Sequence, residues 1–329
     1  MLNQKPFVWI LDDEWTDHSI EKEVYDKYGF TFKVSRSETL EEDLKKYGPY
    51  ADGVVAQIGF PCPRQLIEQL PACKAISISG VGYNHVDIDA ATERGIAVAN
   101  IPDYCTEEVS DHSIALMFAL SRQLKDYDQK VRNGKWDPLD VLPLYRFKNQ
   151  TVGILGFGRI GRLVARKLQM FGVRLIAYDK YVSDDEILKH GVEPVSFEEL
   201  FATSNILTLH VPLTEETTNM VNKETLAMMP KGAYVINTCR GAVINEGDLL
   251  GAIESGWIQG AGIDVLDLEP PAPNHPYFSC EQILLTPHSA YVTEESLREL
   301  KERTCQVIID VVQGRKLNYA LNQVESVQP

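Results

Sequence analysis

The chain has 329 residues, 44% of them hydrophobic, and a formal net charge of -15. Length and mixed composition are those of an ordinary soluble globular protein of about two domains. The acidity argues against nucleic acid or an anionic membrane as partner.

Residues 1–6 lead into a short apolar strand followed by acidic residues, without signal-peptide anatomy, so the expected location is cytoplasmic. Cys62, Cys73, Cys105, Cys239, Cys280 and Cys305 are scattered with no C-x-x-C pair, and the histidines form no metal-binding spacing. Reduced thiols and no metal are expected. Apolar runs at 7–11, 30–34, 53–58, 75–79 and 96–100 alternate with helix-like stretches such as 38–46, 64–69 and 89–94. That alternation predicts a parallel sheet covered on both faces. A long amphipathic stretch, 106–133, opens a second α/β pattern, with Glu107, Glu108 and Asp111 near its start complementing the positive end of a helix dipole.

The apolar run 152–155 is followed at once by Gly156, Gly158 and Gly161, spaced G-F-G-R-I-G with Arg159 and Ile160 inside. This is the dinucleotide fingerprint: a tight turn, a close backbone approach to pyrophosphate, and close packing of helix on strand. The helix of about 160–171 offers its N-terminal N–H groups to phosphate, with Arg159 beside the pyrophosphate. Asp179 ends the next apolar run, 173–178, about 20 residues downstream. Its carboxylate would bind the ribose hydroxyls and repel a 2′-phosphate, favouring NAD over NADP.

Further strands are predicted at 206–211, 233–238, 262–265 and 283–286, closing a sheet of six or seven strands, and a last helix runs from after Thr293 to near Gly314. With no strand of its own, that helix is expected to pack back on the first domain. The fold class is therefore α/β, with two doubly wound parallel-sheet domains. A discontinuous first domain takes 1–101 plus 292–329, and a Rossmann NAD domain, which carries the fingerprint, takes 102–291, with hinges near Pro102 and Tyr291.

Three segments then follow in order: Asn237-Thr238-Cys239-Arg240-Gly241, Gly262-Ile263-Asp264-Val265 leading to Glu269-Pro270, and Thr286-Pro287-His288. After a dinucleotide fingerprint, this set closely resembles the D-isomer-specific 2-hydroxyacid dehydrogenases. The stretch 80–87, GVGYNHVD, resembles that family's substrate-carboxylate loop. The resemblance implies that the first domain is a flavodoxin-like substrate domain, with Arg240, Glu269 and His288 as the catalytic residues and Val81 and Gly82 as backbone donors to the substrate carboxylate. His288 would donate a proton to the 2-keto oxygen and remove it in reverse, while Glu269 would orient the ring and favour its acid form. Arg240 would hold carboxylate and carbonyl oxygen in its donor fork. Thr238, Cys239 and Asp264 would line the nicotinamide. His210, Val211 and Pro212 would face the adenosine half, and Thr217 would reach a phosphate. His85 and His112 are expected to be structural.

Two departures narrow the substrate. The stretch 55–60, VAQIGF, lacks the arginine that phosphoglycerate dehydrogenases of the family place there, so a phosphorylated substrate is disfavoured. Tyr291 stands where the C-terminal-binding-protein branch, which this chain also resembles, carries an aromatic ring that would narrow the pocket. That branch implies an alternative use of the fold as an NAD(H)-sensing interaction protein. The leading expectation is an NAD-dependent 2-ketoacid reductase, acting on a small 2-keto or 2-hydroxy acid in a cleft between the domains. Residues 122–149, with Trp136 and the 138–143 stretch, resemble the family's dimerisation arm and imply a homodimer.

Overall fold

Side chains along Phe7–Leu11 alternate, Val8 and Ile10 entering one apolar cluster and Trp9 and Leu11 another, as the period of two requires of a strand covered on both faces. The computed structural model describes residues 5–317 and 319–324. The chain divides into two units, Met1–Tyr104 with Thr293–Pro329, and Cys105–Val292.

Among the described residues, the first unit holds β1 (Phe7–Leu11), β2 (Thr31–Ser35), β3 (Gly53–Gln57), β4 (Ala75–Ser79) and β5 (Ala97–Ala99). They form one parallel sheet in the order β2-β1-β3-β4-β5, which is the flavodoxin-like order. The helix Glu294–Val312 covers one face, where Cys305, Ile308 and Ile309 join Val8, Ile10 and Val55 in one buried cluster. Its start is set by a capping box: the Thr293 side chain accepts from the Ser296 N–H, and the Ser296 hydroxyl accepts from the Thr293 N–H.

The second unit holds β6 (Thr151–Leu155), β7 (Arg174–Tyr178), β8 (Glu193–Pro194), β9 (Ile206–Leu209), β10 (Ala233–Asn237), β11 (Ile258–Ile263) and β12 (Ile283–Leu285). All pairings are parallel, in the order β12-β11-β10-β9-β6-β7-β8. Strand order reverses between β6 and β9, which remain parallel, and this is the switch point at whose carboxyl ends doubly wound sheets bind ligands. The expected α/β class with two parallel sheets is borne out.

One local expectation is corrected, and two features are added to it. The stretch 106–133 is not one helix but two, Thr106–Ser121 and Leu124–Arg132, broken at Gln123, whose φ of +52° lies outside helical space. Glu107 and Asp111 do more than complement a dipole: they hold Lys167 at 2.8 and 2.6 Å, binding this helix to Arg159–Leu168. β8 is a two-residue edge strand containing Pro194, too short for the period-two signal to reveal. No helix among the described residues is long and apolar enough to cross a membrane.

Candidate functional site

At the carboxyl end of β6, Gly156 turns the chain at φ +93°, and a Cβ there would lie 2.6 Å from the His210 carbonyl oxygen. A Cβ on Gly161 would lie 2.2 Å from the Gly156 carbonyl oxygen, so helix and turn meet only because both residues are glycine. Gly158 is different: no atom lies within 4 Å of its Cβ position. It caps the helix Arg159–Leu168 without a side-chain hydrogen bond, leaving first-turn N–H groups for a ligand anion. Arg159 is exposed and Ile160 half-buried at that helix start.

Asp179, at the end of β7, accepts from the Phe157 N–H at 2.7 Å and from the Tyr181 N–H at 2.8 Å. One oxygen of the carboxylate thus staples the fingerprint turn to the neighbouring strand, and its remaining lone pairs can serve ribose hydroxyls. These features fit NAD: an open backbone for pyrophosphate, an uncapped helix start and an acidic residue beside them. On the same edge, Val211 lies against Gly156. Burial holds the His210 imidazole down at about 3, and its Nε2 lies 3.0 Å from the Thr208 hydroxyl. The Thr217 hydroxyl donates to the Pro212 carbonyl at 2.6 Å and accepts from the Thr214 N–H at 2.8 Å, so it builds the turn after β9.

The second cluster sits at the ends of β10, β11 and β12. The buried Asn237 side chain organises the first of its loops, donating to the Arg240 carbonyl at 2.9 Å and accepting from the Cys239 N–H at 3.0 Å. Thr238 is buried with its hydroxyl 2.8 Å from that of Ser113, and burial pushes the Cys239 thiol up to about 11. A Cβ on Gly241 would lie 1.9 Å from the Leu266 carbonyl carbon, so this glycine lets the Arg240 loop press against the turn that carries Glu269.

Glu269 accepts from the Leu266 N–H at 2.8 Å, and its other oxygen lies 2.6 Å from His288 Nδ1. Burial pushes the Glu269 carboxyl up, but the His288 hydrogen bond and charge, the Leu266 N–H and Arg240 together hold it below the usual range. His288 itself stands at φ +51°, a costly conformation for a residue with a Cβ. It is held there by Asp264, whose carbonyl accepts the His288 N–H at 2.7 Å and whose carboxylate accepts the Ser289 and Ala290 N–H groups at 2.9 and 3.0 Å. The Tyr291 ring stands edge-on to His288, centroids 6.1 Å apart.

Arg240, Glu269 and His288 are thus brought together. Part of their support carries no mark in the sequence. Glu246 accepts from the Asp267 N–H at 3.0 Å and lies 3.1 Å from His275 Nε2, pinning the turn that bears Glu269 from both sides. The first unit, taken by itself, carries the Val81-Gly82 segment just past β4, half-buried, with the Val81 carbonyl accepting from Asn100 Nδ2 at 2.6 Å.

Residues 114–290 match the family model of the D-isomer specific 2-hydroxyacid dehydrogenase NAD binding domain. A glyoxylate reductase of Korarchaeum cryptofilum is 37% identical over 84% of this chain and 85% of its own length. A hydroxypyruvate reductase of Blautia hydrogenotrophica is 32% identical over 90% of each chain. The crystal structure of D-lactate dehydrogenase from Aquifex aeolicus, complexed with NAD and lactic acid, matches with a TM-score of 0.84 and 29% identity over 93% of this chain and 96% of that one. The chain belongs to the D-isomer specific 2-hydroxyacid dehydrogenases, NAD-dependent oxidoreductases that act on a CH–OH group.

Proposed function

We propose that the protein is a cytoplasmic 2-ketoacid reductase in which His288 is the acid and base, Glu269 its orienting partner and Arg240 the anchor of the substrate's carboxylate and carbonyl oxygens. The observation that carries this reading is the 2.6 Å contact between His288 Nδ1 and Glu269. With Nδ1 committed to the carboxylate, Nε2 is the nitrogen that hands a proton to the developing alkoxide. Bound NADH supplies the hydride. The ionised Glu269 fixes the ring's tautomer and stabilises the imidazolium that reduction consumes. Arg240 offers a planar fork that matches a carboxylate with an adjacent carbonyl. Backbone N–H groups of Val81 and Gly82 are assigned to the substrate carboxylate, and Tyr291 to the pocket beside the 2-carbon substituent. In the oxidative direction neutral His288 takes the hydroxyl proton.

The supporting cofactor contacts are assigned to the Gly156–Gly161 turn, Asp179, the residues 210–212 and the Thr238-Cys239 backbone. Trp136, Leu139, Leu142 and Tyr145 are 87%, 67%, 55% and 64% exposed, and a second copy of the chain is proposed to cover them. NADH oxidation with a panel of 2-keto acids, glyoxylate, hydroxypyruvate and pyruvate included, tests the activity. A saturable rate that His288→Ala abolishes supports it. Tight NADH binding with no turnover of any acid replaces it with the cofactor-sensing role.

A further inference from the structure

We infer that His112 is a positioning residue for proton transfer, acting on the His288 loop through the hydroxyl of Thr286. This rests on the reading of His288 as the acid and base. His112 lies on the helix Thr106–Ser121, and its Nε2 is 3.0 Å from Thr286 Oγ1. The Thr286 hydroxyl has one proton and an acceptor 2.5 Å away, the carboxylate of buried Asp264. That proton goes to Asp264, so toward His112 the hydroxyl is an acceptor and His112 Nε2 carries a hydrogen. The relay runs from His112 N–H to Thr286 O–H to Asp264, with His112 Nε2 also 3.6 Å from the same Asp264 oxygen.

Asp264 is the peg from which the loop hangs. Its carbonyl and both carboxylate oxygens take the N–H groups of His288, Ser289 and Ala290 in succession. The left-handed backbone of His288 persists only while these bonds over-determine it. His112 fixes the orientation of the hydroxyl that loads one of those oxygens, and so fixes the peg. The next residue, Ser113, has its hydroxyl 2.8 Å from that of Thr238, just before Arg240. Two consecutive residues of one helix therefore brace the two loops that carry His288 and Arg240.

The test compares kcat and KM for 2-ketoacid reduction, and NADH affinity by fluorescence, in the purified full-length protein. His112→Leu removes the donor at similar size, and His112→Gln keeps an N–H near the Nε2 position. Misplacing a reacting group without removing it lowers kcat, so His112→Leu should lose about tenfold in kcat, with KM and NADH affinity within about twofold. His112→Gln should recover most of that loss. Thr286→Val should match His112→Leu, and the double variant should be no worse than either, because one relay is cut twice. Unchanged kcat in a folded His112→Leu protein, equal losses in the Leu and Gln variants, or multiplying losses with Thr286→Val would each overturn the inference. Should His112→Leu fail to fold, the Gln and Thr286→Val comparison decides in the same way. His288→Ala separates the two levels: full turnover there sinks the underlying reading, whereas its loss beside a normal His112→Leu sinks only the relay.

Discussion

The two sheets end in opposite ways at their carboxyl edges. In the first unit, the charges near the end of β1 are sealed in: Asp12, Glu21 and Lys301 are 0%, 5% and 7% exposed. Lys301 lies 3.3 Å from Glu21, donates to the Asp17 carbonyl at 2.6 Å and sits 4.5 Å above the Trp15 ring. In the second unit, the Glu269 and His288 side chains keep 34% and 28% of their surface. A sealed cluster spends its charge on holding helix to loop, whereas a half-open pair stays reachable by a substrate and can move a proton. The same α/β edge thus serves as a clamp in one unit and as a reactive site in the other.

Removing the reactive group should give the largest effect. His288→Ala is expected to lower ketoacid turnover by about 10³-fold or more, with NADH binding retained, in steady-state and fluorescence assays. The clamp should fail differently. Lys301→Met leaves buried Glu21 with only the His18 ring, 3.3 Å away, in place of the ammonium, and should cost about 3 kcal/mol of stability by denaturant unfolding, with kcat preserved in the protein that remains folded. Were kcat to collapse and stability stay put, the contrast between the edges would be wrong.

Next in size is Glu269→Gln, expected to cost about 10²-fold. Its pH profile carries the sign. Wild-type Glu269 is held below the usual carboxylate range, so it stays ionised at neutral pH, and its support is lost as pH falls through that lowered value. Gln cannot titrate, so the acid loss of rate that the Glu269 carboxyl causes in the wild type should be absent from the variant. An acid limb unchanged in the Gln variant would break the pairing of Glu269 with His288.

The smallest effect concerns His210, whose ring burial holds down from 6.5 to about 3. The unfolded chain takes up a proton below pH 6.5 while the folded chain does not. Its stabilising effect is therefore complete above pH 6.5 and is lost as pH falls toward 3, at up to about 1.4 kcal/mol per pH unit. His210→Gln should flatten that part of the stability curve, measured by urea unfolding between pH 5 and 7.

Both sheets were legible because parallel strands buried on two faces leave uninterrupted apolar runs such as 152–155, and because Gly156, Gly158, Gly161 and Asp179 have steric and electrostatic jobs tied to fixed spacing. Arg240, Glu269 and His288 were legible through resemblance, since only chain order links them before folding. The bracing was not. His112 and Thr286 lie 174 positions apart, and Glu246 meets His275 only after the turn between them closes, so no local pattern marks either pair. The break at Gln123 was equally hidden, since residues on both sides are ordinary helix formers.

The most direct test is NADH oxidation at neutral pH with the 2-keto acid panel, run in parallel on the wild type and His288→Ala. At least one acid should be turned over with saturation by the wild type and not by a variant that still binds NADH. A wild type that binds NADH yet reduces none of them, or a variant that keeps the wild-type rate, would contradict the account.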